Sequence, residues 1–243
     1  MAKRRTNKPI IRFRDAHIVV VEKPPGLTTM RHAHEAAEFG ARGRRFLPAT
    51  LADVLAGQLG GKVRAVHRLD NETSGLVVFA RTVAAERGLG KQFRDHSVER
   101  RYLAVVRGRV QSQRIESWFV RDRGDGRRGS STKADEGQRA VTHVRILEKL
   151  GEYTLVECRL ETGRTHQVRI HLGEAGAPIC GDHLYDRPLH GRPLPDVSGT
   201  SRIALHAATL GFTHPATGKR MHWSSKLPAD MDELIQRLRA ASQ

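Results

Sequence analysis

Apolar residues fall into short runs along this chain, and polar turns separate one run from the next. Runs of three to ten residues that are mostly β-branched or otherwise apolar predict strands. These runs are residues 18–22, 76–80, 102–106, 141–147, 153–160, 203–212 and 221–223. The turn residues Lys23-Pro24-Pro25-Gly26 close the first run, and Gly151 separates two neighbouring runs. Strands that adjoin across such short turns are expected to pair antiparallel.

Three other segments show the spacing of a helix. Leu51, Val54, Leu55 and Leu59 recur at helical intervals, and Thr50 precedes them as a candidate N-cap. Residues 83–95 and an amphipathic stretch at 230–239 complete the set. The chain thus combines three predicted helices with strands, and the two kinds of element do not alternate regularly as in βαβ units.

The run from Gly163 to Leu172 fits two structures. Val168, Ile170 and Leu172 alternate as in a strand, whereas Val168 and Leu172 also fit one face of a helix. We favour a helix that begins at Thr165, because glycines then end the apolar pattern.

These elements predict an α+β fold with a mixed, mostly antiparallel central sheet flanked by helices and loops. No internal repeat or boundary divides the chain, so we expect one catalytic domain over residues 10–243. Residues 1–9 form a basic segment that we interpret as a flexible arm. Residues 31–49, 121–139 and 181–200 are predicted loops, and we interpret 121–139 as an exposed hairpin tip or a mobile loop.

The charge of the chain indicates a polyanionic partner. Its 42 Lys and Arg outnumber 26 Asp and Glu, which gives a net charge of +16 and a pI of about 10.9. Nucleic acid is the first expectation and an anionic membrane surface the second. Aromatic residues make up only 5% of the chain, which argues against binding single strands by stacking.

Other sequence features bear on membrane insertion, cellular compartment and metal binding. No apolar run approaches the roughly 20 residues that span a bilayer, and the basic N-terminus does not resemble a signal peptide. The two cysteines, Cys158 and Cys180, indicate a reducing, cytoplasmic compartment. His32, His34 and Glu35 have weak metal-ligand spacing, so we expect no metal site.

The first polar cluster that could carry chemistry is His67, Arg68 and Asp70, which stand in a turn directly before an apolar run. Two interpretations are open. Asp70 can simply stabilise the turn, or it can be an active-site carboxylate that cationic neighbours keep ionised.

Two further clusters have the same ambiguity. Arg101 and Tyr102 open a predicted strand, where the tyrosine can be a core-edge residue or an active-site group. Gly163 to Gln167, with Arg169 and His171 behind them, can be a phosphate-binding helix start or part of a catalytic site.

Taken together, these clusters resemble the RluA-type pseudouridine synthases. The run His67-Arg68-Leu69-Asp70, followed by Thr73-Ser74-Gly75-Leu76, is similar to the catalytic motif of that family. Further similar segments follow in the order of the family, and they are residues 19–27, 101–108, 163–172, 181–185, 205–207 and 212–215. The resemblance extends over residues 15–228.

The resemblance implies an aspartate-dependent, cofactor-free isomerisation of uridine to pseudouridine in RNA. Asp70 matches the essential aspartate, Tyr102 the tyrosine that packs on the base, and Arg164 the arginine that pairs with the aspartate. Arg68 matches the residue that fills the space of the flipped nucleotide. The resemblance further implies RNA contacts by His67, Thr73, Gln167 and Arg169. It leaves open whether Asp70 attacks the ribose, attacks the uracil, or acts as a base in a glycal route.

The implied partner is ribosomal or transfer RNA, with no membrane and no metal or other cofactor, and a monomer is expected. The chain leaves no room before residue 10 for the small S4-type RNA-binding domain that many relatives carry, and Asp186 stands where a glycine is usual. A non-catalytic RNA-binding or ribosome-assembly factor on the same fold is the main alternative, and a nucleoside hydrolase is a second.

Overall fold

A computed structural model of the chain describes residues 8–31, 47–108, 110–131, 133 and 136–242. This part of the chain contains four helices and eleven strands, and every strand pair with an established register is antiparallel. The α+β fold is therefore confirmed. Backbone contacts divide the chain into two compact units, of which the first comprises residues 1–98 and 210–225 and the second residues 99–209 and 226–243.

The first unit is built on the strands β1 (Ile10–Arg14), β2 (Ile18–Lys23), β3 (Arg64–Ala65) and β4 (Ser74–Ala80). The order is β1-β2-β4, and β3 also pairs with β4. All residues of β4 and nearly all of β2 are buried, which explains their continuous apolar runs. β1, by contrast, was not predicted, because only alternate residues of this edge strand are even half-buried.

Two helices and two later strands complete the first unit. Helix α1 (Leu51–Leu59) begins as predicted at Thr50, whose hydroxyl accepts the N–H of Asp53 while the Asp53 carboxylate accepts the N–H of Thr50. Helix α2 (Val83–Arg94) is capped by Thr82. The strands are the C-terminal part of β10 (Leu205–Thr213) and β11 (Arg220–Ser224), which pair with each other.

The second unit contains the strands β5 (Glu99–Arg107), β6 (Gln113–Val120), β7 (Gly129–Ser130), β8 (Gln138–Leu150) and β9 (Tyr153–Leu160), in the order β5-β9-β8-β6-β7. β8 and β9 join at Gly151, whose φ of +64° a glycine adopts without strain. This hairpin is confirmed, whereas β6 was not predicted.

The helices of the second unit are α3 (Gln167–Glu174) and α4 (Ala229–Ala241). The helical alternative for the segment after Gly163 is thus confirmed. It begins two residues later than predicted, because His166 adopts a left-handed φ of +58° that ends the preceding turn. Helix α4 buries Met231, Leu234, Ile235 and Leu238 against the core of this unit.

The predicted loops have different outcomes. Within 121–139, the hairpin is confirmed, but full exposure is wrong, because Gly129 and Ser130 are buried in β7 and the Arg123 side chain is only 7% exposed. Residues 32–46, which include His32, His34 and Glu35, lie outside the described residues, as do residues 1–7 of the predicted arm. No helix in the described ranges is long and apolar enough to cross a bilayer.

Candidate active site

Asp70 occupies a tight turn that leads into β4. The N–H of Thr73 donates to the Asp70 carbonyl at 3.1 Å, which closes the turn. The preceding residue, Leu69, is buried and is held to Thr29 twice, because the Thr29 hydroxyl donates to the Leu69 carbonyl (2.7 Å) and accepts the Leu69 N–H (3.1 Å). The carboxylate of a half-buried Asp70 therefore projects from a fixed backbone.

Lys23 anchors the same turn from inside the first unit. Its side chain is buried, and its ammonium donates to the carbonyls of Pro24 (2.9 Å), Leu27 (2.8 Å) and Asn71 (2.9 Å). Three carbonyl acceptors satisfy all three protons of an ammonium group. One buried cation thus joins the proline-rich turn after β2 to the turn that carries Asp70.

His67 and Arg68 precede this turn. The His67 ring stacks on Phe93, with 4.5 Å between centroids, and its Nε2 accepts the N–H of Val78 at 3.1 Å. These two contacts hold the His67 ring in place, and Nε2 is used as an acceptor within the protein. The backbone directly before Arg68 is therefore anchored. Arg68 itself is half-buried between two anchored residues.

Thr73 is 2% exposed, and its hydroxyl finds no hydrogen-bond partner among the described residues. A buried hydroxyl without a partner carries a desolvation penalty. RNA contact by Thr73 and His67 stays a prediction.

In the second unit, β5 carries Tyr102 and a buried arginine on one face. Tyr102 is half-buried and packs against the core of this unit. Arg100, two residues earlier and therefore on the same face, is 7% exposed, and burial lowers the pKa of its guanidinium. Arg101 points the other way and pairs with Glu99 (3.0 Å) and Glu157 (3.4 Å).

The loop that carries Arg164 is clamped by the side chain of Gln167. Gln167 Oε1 accepts the N–H of Arg164 (2.9 Å) and the hydroxyl of Thr162 (2.7 Å). Its amide nitrogen donates to the Val141 carbonyl (2.9 Å) and to the Thr142 hydroxyl (3.0 Å). All hydrogen-bonding positions of this buried amide are used within the protein, so Gln167 fixes the backbone from which Arg164 extends.

A second set of contacts holds the same loop from helix α3. Arg169 forms a two-point ion pair with Asp182 (2.6 and 3.1 Å) and lies over the ring of Tyr185. The Tyr185 hydroxyl lies 2.9 Å from Nδ1 of His166. Burial opposes ionisation of Asp182, but Arg169 and two backbone N–H groups outweigh it and lower its pKa.

Arg164 also lines a polar cleft of about 470 Å³. The Arg121 and Arg128 side chains share this cleft, and among the described residues the one carboxylate in its lining is that of Glu136. Neither Arg121 nor Arg128 has a hydrogen bond or an ion pair to another described residue, whereas Arg164 Nε donates to the Arg139 carbonyl at 2.9 Å. An excess of unneutralised guanidinium groups suits a ligand that carries phosphates.

The predicted site residues are thus divided between the two units. The first unit holds His67, Arg68, Asp70 and Thr73, and the second holds Tyr102, Arg164, Gln167 and Arg169. The geometry gives Gln167 and Arg169 positioning roles, and direct RNA contact by them stays a prediction. Sequence reasoning missed Lys23 and Arg100.

A usable signal existed for both missed residues. Lys23 directly precedes the turn prolines, and Arg100 lies two residues before Tyr102 on the same face of a strand. Among the described residues, no three His, Cys, Asp or Glu side chains are grouped so that they could hold a metal ion.

Comparison with known proteins points to one family. The model of the RNA pseudouridylate synthase family matches residues 17–174, which is more than half of the chain. The ribosomal large subunit pseudouridine synthase D of Zymomonas mobilis is 41% identical over 234 residues, covering 93% of this chain and 71% of that protein. An uncharacterized RNA pseudouridine synthase of Bacillus subtilis is 39% identical over 239 residues, with 94% and 72% covered.

Solved structures show the same likeness. Human RNA pseudouridylate synthase domain containing 4 superposes with a TM-score of 0.70 at 26% identity, over 95% of this chain and 93% of that chain. Human RNA pseudouridylate synthase domain containing 1 gives a TM-score of 0.67 at 25% identity, over 96% and 95%.

Proposed function

Because the chain belongs to the RNA pseudouridylate synthase family, and is therefore an RNA pseudouridine synthase, we propose that its substrate is the RNA of the large ribosomal subunit. The most informative observation is that relatives named for the large ribosomal subunit match 93–96% of this chain at 36–41% identity. Their names describe catalysts, which does not support the alternative of a binding-only assembly factor.

The reaction breaks the bond between ribose C1′ and uracil N1 and forms a bond between C1′ and C5. The proton on C5 is lost and N1 gains one, so the product is an isomer of the substrate and no co-reactant is consumed. Asp70 is the group we assign to the ribose or the base, either as a nucleophile or as the base of a glycal route. The turn fixed by Lys23 and Thr29 supports this assignment, because a reacting carboxylate must be held in one orientation.

The second unit supplies Tyr102 and Arg164. In our proposal the Tyr102 ring packs on the uracil, and the Arg164 guanidinium pairs with the catalytic carboxylate and orients it. The clamp by Gln167 supports this role, since a guanidinium can orient a carboxylate only if its own backbone is fixed.

RNA must present an unstacked uridine, since neither C1′ nor C5 is reachable inside a base stack. We assign Arg68 to the space that the flipped nucleotide leaves. The Arg121 and Arg128 side chains of the cleft suit the phosphates of the strand on either side. The net charge of +16 provides the long-range attraction to the RNA.

The proposal also covers the setting of the enzyme. Large-subunit RNA is assembled in the bacterial cytoplasm, so we place the protein there, and we expect it to act as a monomer. Size-exclusion chromatography with light scattering tests the monomer, and cell fractionation tests the location.

The function is tested by mapping pseudouridines in total RNA from cells with and without this protein. We expect one or more sites in large-subunit RNA to disappear, to return with the wild-type chain, and not to return with Asp70→Asn. Asp95→Asn is the matched control, because the Asp95 carboxylate pairs, among the described residues, only with exposed Lys91 one helical turn away.

Two outcomes would overturn parts of the proposal. Loss of sites in transfer RNA alone would refute the ribosomal substrate but not the family. Normal product from Asp70→Asn would refute the role of Asp70.

A further inference from the structure

A chain of buried hydrogen bonds in the second unit begins at Glu174, the last residue of α3. Glu174 Oε2 lies 2.6 Å from the Ser130 hydroxyl, which lies 2.8 Å from the Ser117 hydroxyl. The Ser117 hydroxyl is 3.0 Å from Nε2 of His171. These contacts join strands β6 and β7 to the interior of helix α3.

The chain continues from the other side of the imidazole. Nδ1 of His171 is 2.8 Å from the Thr142 hydroxyl, which accepts the amide N–H of Gln167 at 3.0 Å. Gln167 Oε1 in turn accepts the backbone N–H of Arg164. An unbroken series of contacts therefore leads from the Glu174 carboxylate to the backbone of Arg164.

The protons of this chain can be arranged in only one consistent way. The Ser130 hydroxyl has one proton and two neighbours, the Glu174 carboxylate and the Ser117 hydroxyl. The carboxylate is the stronger acceptor of the two, so Ser130 donates its proton to Glu174. Ser117 must then donate to Ser130 and accept from His171 Nε2. Nδ1 of His171 is left as an acceptor for the hydroxyl of Thr142, whose lone pair receives Gln167.

Two further contacts fix the ends of the series. The Glu174 carboxylate also accepts Arg123 Nη1 at 2.8 Å and the N–H of Ser130 at 3.1 Å, and these two contacts hold it in place. His171 is 1% exposed, and burial lowers its pKa to about 4, so the ring stays neutral near pH 7. The Phe119 ring packs against the imidazole in a T-shaped arrangement, with 4.9 Å between centroids.

We propose that His171, fixed as the neutral Nε2–H tautomer, is a positioning residue that links the β6–β7 strand pair to the loop carrying Arg164. Its effect on turnover rests on the proposed function, in which Arg164 orients the reacting carboxylate. Hydrogen bonds that run head to tail strengthen one another, so loss of one link weakens the whole series.

The composition of the series supports a positioning role over a purely stabilising one. Apolar side chains of similar volume would fill the same space without desolvating six polar side chains, and such replacements are often neutral for stability. A continuous polar series specifies a single arrangement, which is what a loop bearing a functional arginine requires.

The experiment compares Ser130→Ala, Thr142→Val and the double variant, which cut the series on opposite sides of His171. On an RNA substrate we expect each single variant to lower kcat roughly tenfold with KM unchanged, since a small misplacement near the reacting atoms slows turnover. The double variant should be no slower than the slower single variant, because both cuts disable one unit. Thr154→Val, at a buried threonine of β9 outside the series, should match the wild type.

A second measurement does not depend on activity. ¹⁵N NMR of labelled histidine should show His171 as the Nε2–H tautomer in the wild type and a mixture of tautomers in Ser117→Ala. An Nδ1–H or doubly protonated ring at pH 7 would overturn the proposal, as would unchanged kcat in the single variants or effects that multiply in the double variant. An inactive wild type would instead count against the proposed function, and the NMR result would still decide the tautomer.

Discussion

Gly163 lies against the buried guanidinium of Arg100, so closely that a Cβ on Gly163 would stand 2.2 Å from Arg100 Nη1. Arg100 Nη2 donates to the Glu161 carbonyl at 3.3 Å, which draws the guanidinium toward the same loop. The glycine that precedes Arg164 is thus required for space, and the cation it accommodates shares a strand face with Tyr102.

Gly163→Ala should therefore strain the loop. Arg100 must move within a packed interior, and overpacking of this kind costs about 1–3 kcal/mol of unfolding free energy. Urea denaturation and kcat should both report the change. Gly57→Ala is the control, because Gly57 lies in helix α1 with no atom within 4 Å of the added Cβ. That variant should be neutral or gain up to about 1 kcal/mol. Equal stability of the two variants would contradict the close approach.

Lys23→Met tests the anchor beneath Asp70. The substitution keeps an unbranched side chain but leaves the carbonyls of Pro24, Leu27 and Asn71 without their donor. We expect a loss of about 3 kcal/mol in unfolding free energy and a fall in kcat, because the turn carrying the carboxylate loosens. Lys149→Met, on an exposed position of β8, removes the same charge as a control. A stable and fully active Lys23→Met protein would show that the turn carrying Asp70 keeps its conformation without the Lys23 hydrogen bonds.

Arg68→Ala tests the role of Arg68 in flipping. Extruding a base from a structured RNA costs a few kcal/mol, and a side chain that fills the vacated space offsets this cost. Turnover of a structured RNA should fall tenfold or more, on the order of 1.4 kcal/mol, while a short unstructured RNA should lose much less. Arg87→Ala, at an exposed position of helix α2, controls for the lost charge. Equal losses on both substrates would argue for a general RNA contact instead.

The buried imidazole of His171 should make stability depend on pH. Its pKa is lowered to about 4 in the folded chain, against 6.5 for the ordinary group, so between these values the unfolded chain binds the extra proton. The contribution of neutral His171 to the free energy of unfolding is fully present above pH 6.5 and is lost as the pH falls toward 4. Over that window the loss amounts to about 3 kcal/mol. Urea unfolding at a series of pH values should show a shallower dependence in His171→Asn. Parallel dependences would mean that His171 titrates alike in both states.

The predicted strands show what sequence pattern can and cannot supply. Residues 18–22 and 76–80 were predicted because β2 and β4 are buried on both faces, which leaves uninterrupted apolar runs. β1 and β6 were missed, because Arg12 and Arg14 in one and Arg114 and Glu116 in the other interrupt the apolar positions of half-exposed strands. Local pattern reports burial, and these strands are held by their neighbours more than by their own apolar content.

The candidate site divides along similar lines. Asp70, Tyr102 and Arg164 were predicted because each lies in a short continuous motif that resembles one of the RluA-type family. The supports around them are not visible in sequence, because Lys23 reaches Asn71 across 48 positions. Similarly, α3 begins two residues later than predicted because His166 has a left-handed backbone. His166 forms no side-chain cap hydrogen bond, so the sequence offers no capping signal at this position.

The first unit is assembled from two stretches that are 111 residues apart in the chain, since residues 99–209 intervene. The Phe212 ring packs against Trp223 in a tilted arrangement, and Trp223 also packs on Phe13. A nascent chain that has emerged only to residue 98 therefore lacks part of this aromatic core and still exposes β2 and β4. Synthesis must proceed past residue 225 before the unit can close, so the interval spent on the ribosome is a period in which these apolar strands need protection from aggregation.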